Sequence, residues 1–384
     1  MNKKKNYDKG PRKQIVELIH LCGVVPDKSL RYIHTWNYNW ARRKITDMVN
    51  EKTLAYVKRT PKPRVLTYDR LEEGVKKEIE KSMPEELRLL YEKYTSEDRH
   101  KYIDQKKDKA KISRIYLNAD TNIFIYGIGI EIAPDKKPSI TKEDHKENVY
   151  YTSREIKQGL KYQAEVININ GELHIANSKI RGLLMSNGGD YSIYRTDCRT
   201  DYSKAGEYKI KIYIERAIKA KRGINAEINK AVLIVDINKK DILPTLMDPD
   251  INDGKYTYTN LENLYTHVYG LPANIEGQKL LSIMTKGNWR ENMLASFGMP
   301  LKVTDTNITC DDYKDGVYYL LFCIPDIKRL RRFIIRAELE EEKEKFVVVC
   351  FDMQIDMVRK ATKGKVKIKS IPLATYMSTM GYDL

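Results

Sequence analysis

Two groups of residues in this 384-residue chain have the types and spacing to do chemistry. The first is Asp190 or Asp197 followed by Glu207-Tyr208-Lys209. A nuclease that cuts with a divalent ion needs an acid on one strand and an E-x-K on its neighbour. Two carboxylates then hold Mg²⁺ while the lysine steadies the attacked phosphate or the nucleophilic water. The order and spacing here fit the PD-(D/E)xK pattern, on one condition: Glu207 has to lie on a strand. Tyr208, Ile210, Ile212 and Ile214 alternate as a strand would, yet Ile210, Tyr213, Ile214, Ala217 and Ile218 fit one helix face equally well. A helix would spoil the site. E-x-K triplets also arise often in a chain rich in Lys and Glu, where a structural salt bridge is the commoner use.

The second group is Asn39, Arg42, Arg43, Thr46 and Asn50. These fall on one side of an expected helix beginning near Asn37 or Asn39, with Ala41, Ile45, Met48 and Val49 on the other. Arg and Asn present forks that match guanine and adenine edges in the major groove, and Thr can meet a base or a phosphate. A further set, Lys58, Arg59, Lys62 and Arg64, surrounds Pro61 and Pro63, between the strand-like runs 54–59 and 65–68. Strand, rigid basic loop and strand make a wing whose cations would lie along a phosphate backbone or enter a minor groove.

The elements that must position these residues are legible. Ile15, Leu18, Ile19 and Cys22 keep helical spacing after Pro11, and Gly23 offers a stop. A tight connection, Gly23 to Pro26, leads to a second short helix from Asp27, a plausible N-cap, through Leu30, Ile33 and His34. Helix, helix, outward-facing helix and wing describe a winged helix-turn-helix over residues 1–70. That segment holds 17 basic and 6 acidic residues, +11 of a chain total of +16. Such a concentration of charge is the footprint of a phosphate-backbone reader, since neutralised phosphates release counterions. The alternative for the same surface is a solvated face that docks on protein.

Composition bounds the remainder. With 41% apolar and 32% charged residues the chain has core enough for two or three domains. No apolar run approaches the roughly 20 residues that span a bilayer, so no membrane partner and a cytoplasmic location are expected. Five widely spaced cysteines read as buried thiols. The six histidines are isolated, unlike the paired metal ligands of rolling-circle initiators and relaxases, and no Walker A sequence is present.

Residues 71–118 read as charged helices that link or dimerise, with Pro84 marking a fresh start and a basic stretch from Arg99 to Arg114. Beyond them, YYTSREIK from Tyr150 to Lys157 looks extended, running into a helix capped by Thr152 or Ser153. Lys179 to Met185 precedes a Gly188-Gly189 turn and the strand Tyr191–Tyr194. The basic N-terminal module, YYTSREIK, and the pair KIRGLLM and DYSIYRTD together resemble the replication-relaxation type of protein, carried by plasmids and conjugative elements of Gram-positive anaerobes. The resemblance implies a DNA-associated role in replication, mobilisation or control of a mobile element, with other element-encoded proteins among its partners. It supplies no catalytic residues.

Val232–Val235, Tyr318–Cys323, Phe346–Phe351 and Val366–Ile371 read as strands, the last three separated by helices at about 326–342 and 353–362. Continuous apolar strands alternating with helices predict a mainly parallel α/β sheet. Asp236, Asp326 and Asp352 follow three strands and either line a site or cap the next helix. The expected architecture is α/β and multi-domain: a winged helix over 1–70, a linker over 71–118 and an α/β domain over 119–384, possible to divide near 225. The expected function is sequence-specific binding of double-stranded DNA, as a possible homodimer and without cofactor. A Mg²⁺-dependent nuclease and a protein-interaction scaffold are the alternatives.

Overall fold

A computed structural model describes residues 11–34, 36–56, 64–66, 73–83, 85, 88, 109–133, 136–140, 148–156, 178–196, 202–223, 227–236, 241–247, 259–301, 309–340 and 343–382. The chain forms two compact units, Met1–Ala133 and Pro134–Leu384.

The first unit opens with α1, Pro11–Cys22, whose Ile15, Val16, Leu18 and Ile19 are buried. Gly23 ends it at φ +80°, a conformation that costs glycine little. Val24–Pro26, expected as a bare connection, is a strand, β1, and pairs antiparallel with β3, Arg64–Leu66. Residues 27–32 form a 3₁₀ turn, and Asp27 does not cap it: Pro26 occupies that position and the Asp27 carboxylate is engaged by α2, as described below. Helix α2 spans Tyr38–Asn50, after which β2, Ala55–Tyr56, pairs with β3 to complete a three-stranded antiparallel sheet in the order β1-β3-β2. Helix α3 covers Glu73–Ser82.

Helix α4, Lys109–Tyr126, departs from the expected boundary at 118/119. It continues eight residues past that point and packs on β1, the 3₁₀ turn and α1, so it belongs to the first unit. The reason is its apolar run: Ile123, Phe124 and Ile125 are fully buried, and the Phe124 ring meets Tyr32 edge-on at 5.2 Å. Its buried Asp120 accepts a hydrogen bond from Ser29 Oγ and pairs with Lys28 Nζ at 3.2 Å.

The second unit holds two mixed sheets where one mainly parallel sheet was expected. In the first the order is β4-β5-β6-β7-β8: Val149–Thr152, Gly182–Ser186, Gly189–Thr196, Lys230–Val235 and His267–Pro272. Strands β4, β5 and β6 are antiparallel neighbours, whereas β6, β7 and β8 run parallel. Because β7 pairs with β6 along its whole length, Lys230 to Val235 against Tyr191 to Thr196, this sheet runs unbroken across residue 225. Helix α5, Lys204–Arg222, makes the crossover between β6 and β7. The β5–β6 turn needs glycine at 188, where a Cβ would lie 1.9 Å from the Met284 carbonyl oxygen.

The other sheet is ordered β12-β11-β10-β9, comprising Lys367–Ile371, Phe346–Phe351, Val317–Leu321 and Asp312–Lys314. Its three parallel strands and the intervening helices, Ile327–Glu340 and Ile355–Thr362, match the strand-helix alternation in the sequence. One hydrophobic core runs between the two sheets, from Leu233 and Val268 to Leu330, Phe346 and Val348. Among the described residues no helix is long and apolar enough to cross a membrane.

Candidate nucleic-acid interface

Helix α2 starts where Asn37, in an extended conformation, accepts a hydrogen bond from the Trp40 backbone N–H at 3.2 Å. Its Ala41, Ile45 and Met48 are buried. Asn39, Arg42, Arg43, Thr46 and Asn50 are all exposed, so the five proposed readers share the solvent side of the helix. Two contacts fix the helix at its ends: Trp36 Nε1 donates to Gln14 Oε1 at 2.9 Å, and Arg12 pairs with Glu51 at 2.6 Å.

Of the five, Arg42 is held by an ion pair and a ring contact. Its Nε lies 2.9 Å from Asp27 Oδ1, and its guanidinium sits over the Tyr38 ring at 5.6 Å. Tyr38 closes the arrangement by donating its hydroxyl to Asp27 Oδ2 at 2.8 Å, while Arg31 lies over the same ring at 4.9 Å. An Nε contact leaves the two terminal nitrogens of the guanidinium as donors, and the side chain keeps 48% exposure. Those terminal nitrogens are the pair a purine edge or a phosphate would take. Thr46 returns its hydroxyl to the Arg42 carbonyl at 3.0 Å and stands 3.2 Å from the Tyr56 hydroxyl of β2. Beneath Arg42 a small cavity opens between Val25, Leu30, Ile45 and Tyr56. Arg43, Asn39 and Asn50 are exposed and have no such bracing among the described residues.

Of the wing cations, Arg64 is the first residue of β3, paired in register with Pro26. Lys58, Arg59 and Lys62 lie outside the described residues.

The nuclease candidates are not brought together. Glu207 lies in the first turn of α5, whose Ser203 caps it by accepting from Gly206 N at 3.3 Å. This corrects the strand on which that chemistry depends. The helical reading wins because Ile210, Ile214, Ala217 and Ile218 form a continuous buried stripe. Glu207 itself is fully buried and already engaged: Ser178 Oγ donates at 2.7 Å, the Lys179 backbone N–H at 2.7 Å and the Tyr194 hydroxyl at 3.1 Å. Burial pushes its carboxyl above the usual range, against those three donors, which favour the charged form. Tyr194 continues the network to Tyr265, 3.0 Å away. Lys209, two residues on and so turned away from Glu207, is exposed. Asp190 is the second residue of β6, paired in register with Met185, and Asp197 lies outside the described residues. Glu207 thus serves a helix-sheet junction, and among the described residues no group of three His, Cys, Asp or Glu could hold a metal ion.

The acids that end strands serve the fold. Asp326 caps its helix, accepting from Arg329 N at 3.2 Å, and holds His267 Nδ1 at 2.7 Å. Asp352 accepts from the backbones of Met353 and Leu373, and Asp236 stands 3.6 Å from the buried Arg195 guanidinium. The His267–Asp326 pair, 59 residues apart, joins the two sheets where Gly270 N also donates to Pro325 O at 2.9 Å; nothing in the local sequence signals it. Asp27, Tyr38 and Tyr56 were likewise missed as partners of the exposed α2 residues, Asp27 because its position also suited a cap. No protein family, curated protein or solved structure matches this chain.

Proposed function

We propose that the first unit is a winged helix-turn-helix that binds double-stranded DNA, with α2 in the major groove. The observation that carries this reading is the exposed row Asn39, Arg42, Arg43, Thr46 and Asn50 on a helix whose opposite side is buried. Five side chains of base-reading or phosphate-binding type on one exposed stripe are wasted on solvation alone, and Arg42 is pre-oriented by Asp27 and Tyr38. The element order supports it: two helical segments before α2, then a hairpin in an antiparallel sheet, in a segment carrying +11. Binding would be sequence-specific because oriented Arg and Asn forks read bases, whereas lysines alone would track backbone. The likeness of YYTSREIK, KIRGLLM and DYSIYRTD to replication-relaxation proteins extends the proposal to replication, mobilisation or transcriptional control of a mobile element, in the cytoplasm, with the second unit recruiting other proteins or a second copy. Competition binding tests it. A duplex from the gene's own neighbourhood should outcompete scrambled duplex in the parent protein, and Arg42→Ala with Arg43→Ala should erase that preference. Equal competition by both duplexes in the parent would refute base reading.

A further inference from the structure

The second unit carries a cation row of its own. From Arg359 to Lys369 six of eleven residues are basic, and no acid occurs between Met357 and Tyr382. Arg359, Lys360, Lys363, Lys365, Lys367 and Lys369 are all exposed. Three of them have acidic neighbours: Arg359 with Asp356 at 3.2 Å, Lys360 with Asp241 at 2.5 Å, and Lys367 with Glu344. Lys363, Lys365 and Lys369 form no ion pair among the described residues.

The fold arranges these charges in a line. Strand β12 is the edge of its sheet; Ile368 packs on the core, as does Val366 just before the strand, while Lys367 and Lys369 alternate with Ile368 and Lys365 is exposed immediately ahead of them. Alternate residues of a strand are about 6.6 Å apart, so Lys367 and Lys369 present their charges at that interval along the edge. Lys363, in a left-handed conformation at the end of the preceding helix, extends the line. Lysine on an edge strand also guards against edge-to-edge pairing. One or two suffice for that, and Lys363, Lys365 and Lys369, with no ion pair among the described residues, leave a net positive edge that an anion would neutralise.

We infer that the Lys363–Lys369 edge is a second DNA-binding surface, a sequence-independent seat for the phosphate backbone of a duplex. The charge row does not depend on α2; only the choice of DNA as its partner rests on the proposed function.

The test is a salt titration of duplex binding by the full chain, comparing the parent with Lys363→Gln/Lys365→Gln/Lys369→Gln. All three sites are exposed, so the thermal midpoint should hold. The slope of log affinity against log salt should become shallower by about 0.9 for each phosphate no longer neutralised, about 2.7 in all, on any duplex sequence. An unchanged slope overturns the proposal. So does an unchanged slope accompanied by larger species in sedimentation, which would make the lysines edge guards. Vesicles of anionic lipid run in parallel: loss of vesicle binding with an intact duplex slope would assign the row to membrane instead. If the triple variant flattens the slope while the parent prefers no sequence, the seat stands and the base-reading proposal fails. If the preference is present and the slope is unmoved, the reverse holds.

Discussion

Helices α2 and α5 are both amphipathic, both carry basic residues outward, and both contain the residues that spacing alone marks for chemistry. They use them differently. In α2 the marked residues are on the exposed side, and Arg42 is held through one nitrogen with its terminal nitrogens left over. In α5 the marked acid points inward, where it accepts from Ser178, the Lys179 backbone and Tyr194. Residue type and spacing are equally suggestive in both. What separates a group presented to a ligand from one serving the fold is which side of the helix it occupies and whether its hydrogen-bonding capacity is already filled.

The largest effect expected from this contrast is at Glu207. Replacing it with Ala removes the acceptor of three hydrogen bonds, the one from Tyr194 buried and those from Ser178 and Lys179 part-buried, and leaves a cavity at a fully buried site, so Glu207→Ala should destabilise the second unit by about 2 kcal/mol or more in chemical denaturation. Lys209→Ala, on the exposed side, should change stability by less than about 0.5 kcal/mol. Similar small effects of both would mean that the buried network does not hold the helix to the sheet. Neither protein should nick DNA with Mg²⁺, and divalent-dependent nicking by the parent that vanishes with Glu207→Gln would reverse the assignment of that residue.

On α2 the expected effects fall on binding. Arg42→Ala and Arg43→Ala should each cost on the order of 1 to 3 kcal/mol for a preferred duplex and much less for a scrambled one. Unequal losses rank the two as readers; equal losses on both duplexes would reduce them to phosphate clamps.

A smaller and sharper effect is expected at Asp27. Asp27→Asn removes the charge that orients Arg42 while adding net positive charge to the face. Specific affinity should fall by about 0.5 to 1 kcal/mol, the scale of a partly exposed pair, while binding to scrambled duplex rises slightly. Parallel changes on both duplexes would show that Asp27 only screens charge.

The smallest effect is a pH dependence. Burial raises the Glu207 carboxyl in the folded chain, so its contribution to stability is complete below the unfolded carboxylate range and is lost as pH rises through the folded value. Glu207→Gln should therefore flatten the fall in urea midpoint over that interval. An identical pH profile in the two proteins would contradict the burial of an ionisable group there.

Much of the fold is readable from local pattern. Helix α1 and the buried stripe of α2 follow from period and punctuation, and β10, β11, β12 and their two helices from apolar runs set between amphipathic ones. What escaped was non-local. Val24–Pro26 is three residues long and becomes a strand only because residues 64–66 lie beside it. Nothing near 267 announces a partner at 326. Glu207 satisfied two periodicities at once, and the choice was made by tertiary burial of Ile210 and Ile214. The exposed stripe of α2 was legible because it is defined by the helix alone; its brace was not, because Asp27 joins α2 through space.

The central claim is that the first unit reads duplex sequence through the exposed row of α2. Selection of bound sequences from a random duplex pool by the full chain tests it most directly. The parent should enrich a short motif containing guanine, as expected of an arginine fork, and Arg42→Ala/Arg43→Ala should enrich none while still retaining DNA at low salt. A parent that retains DNA but enriches no motif, or a double variant that enriches the same one, would contradict it.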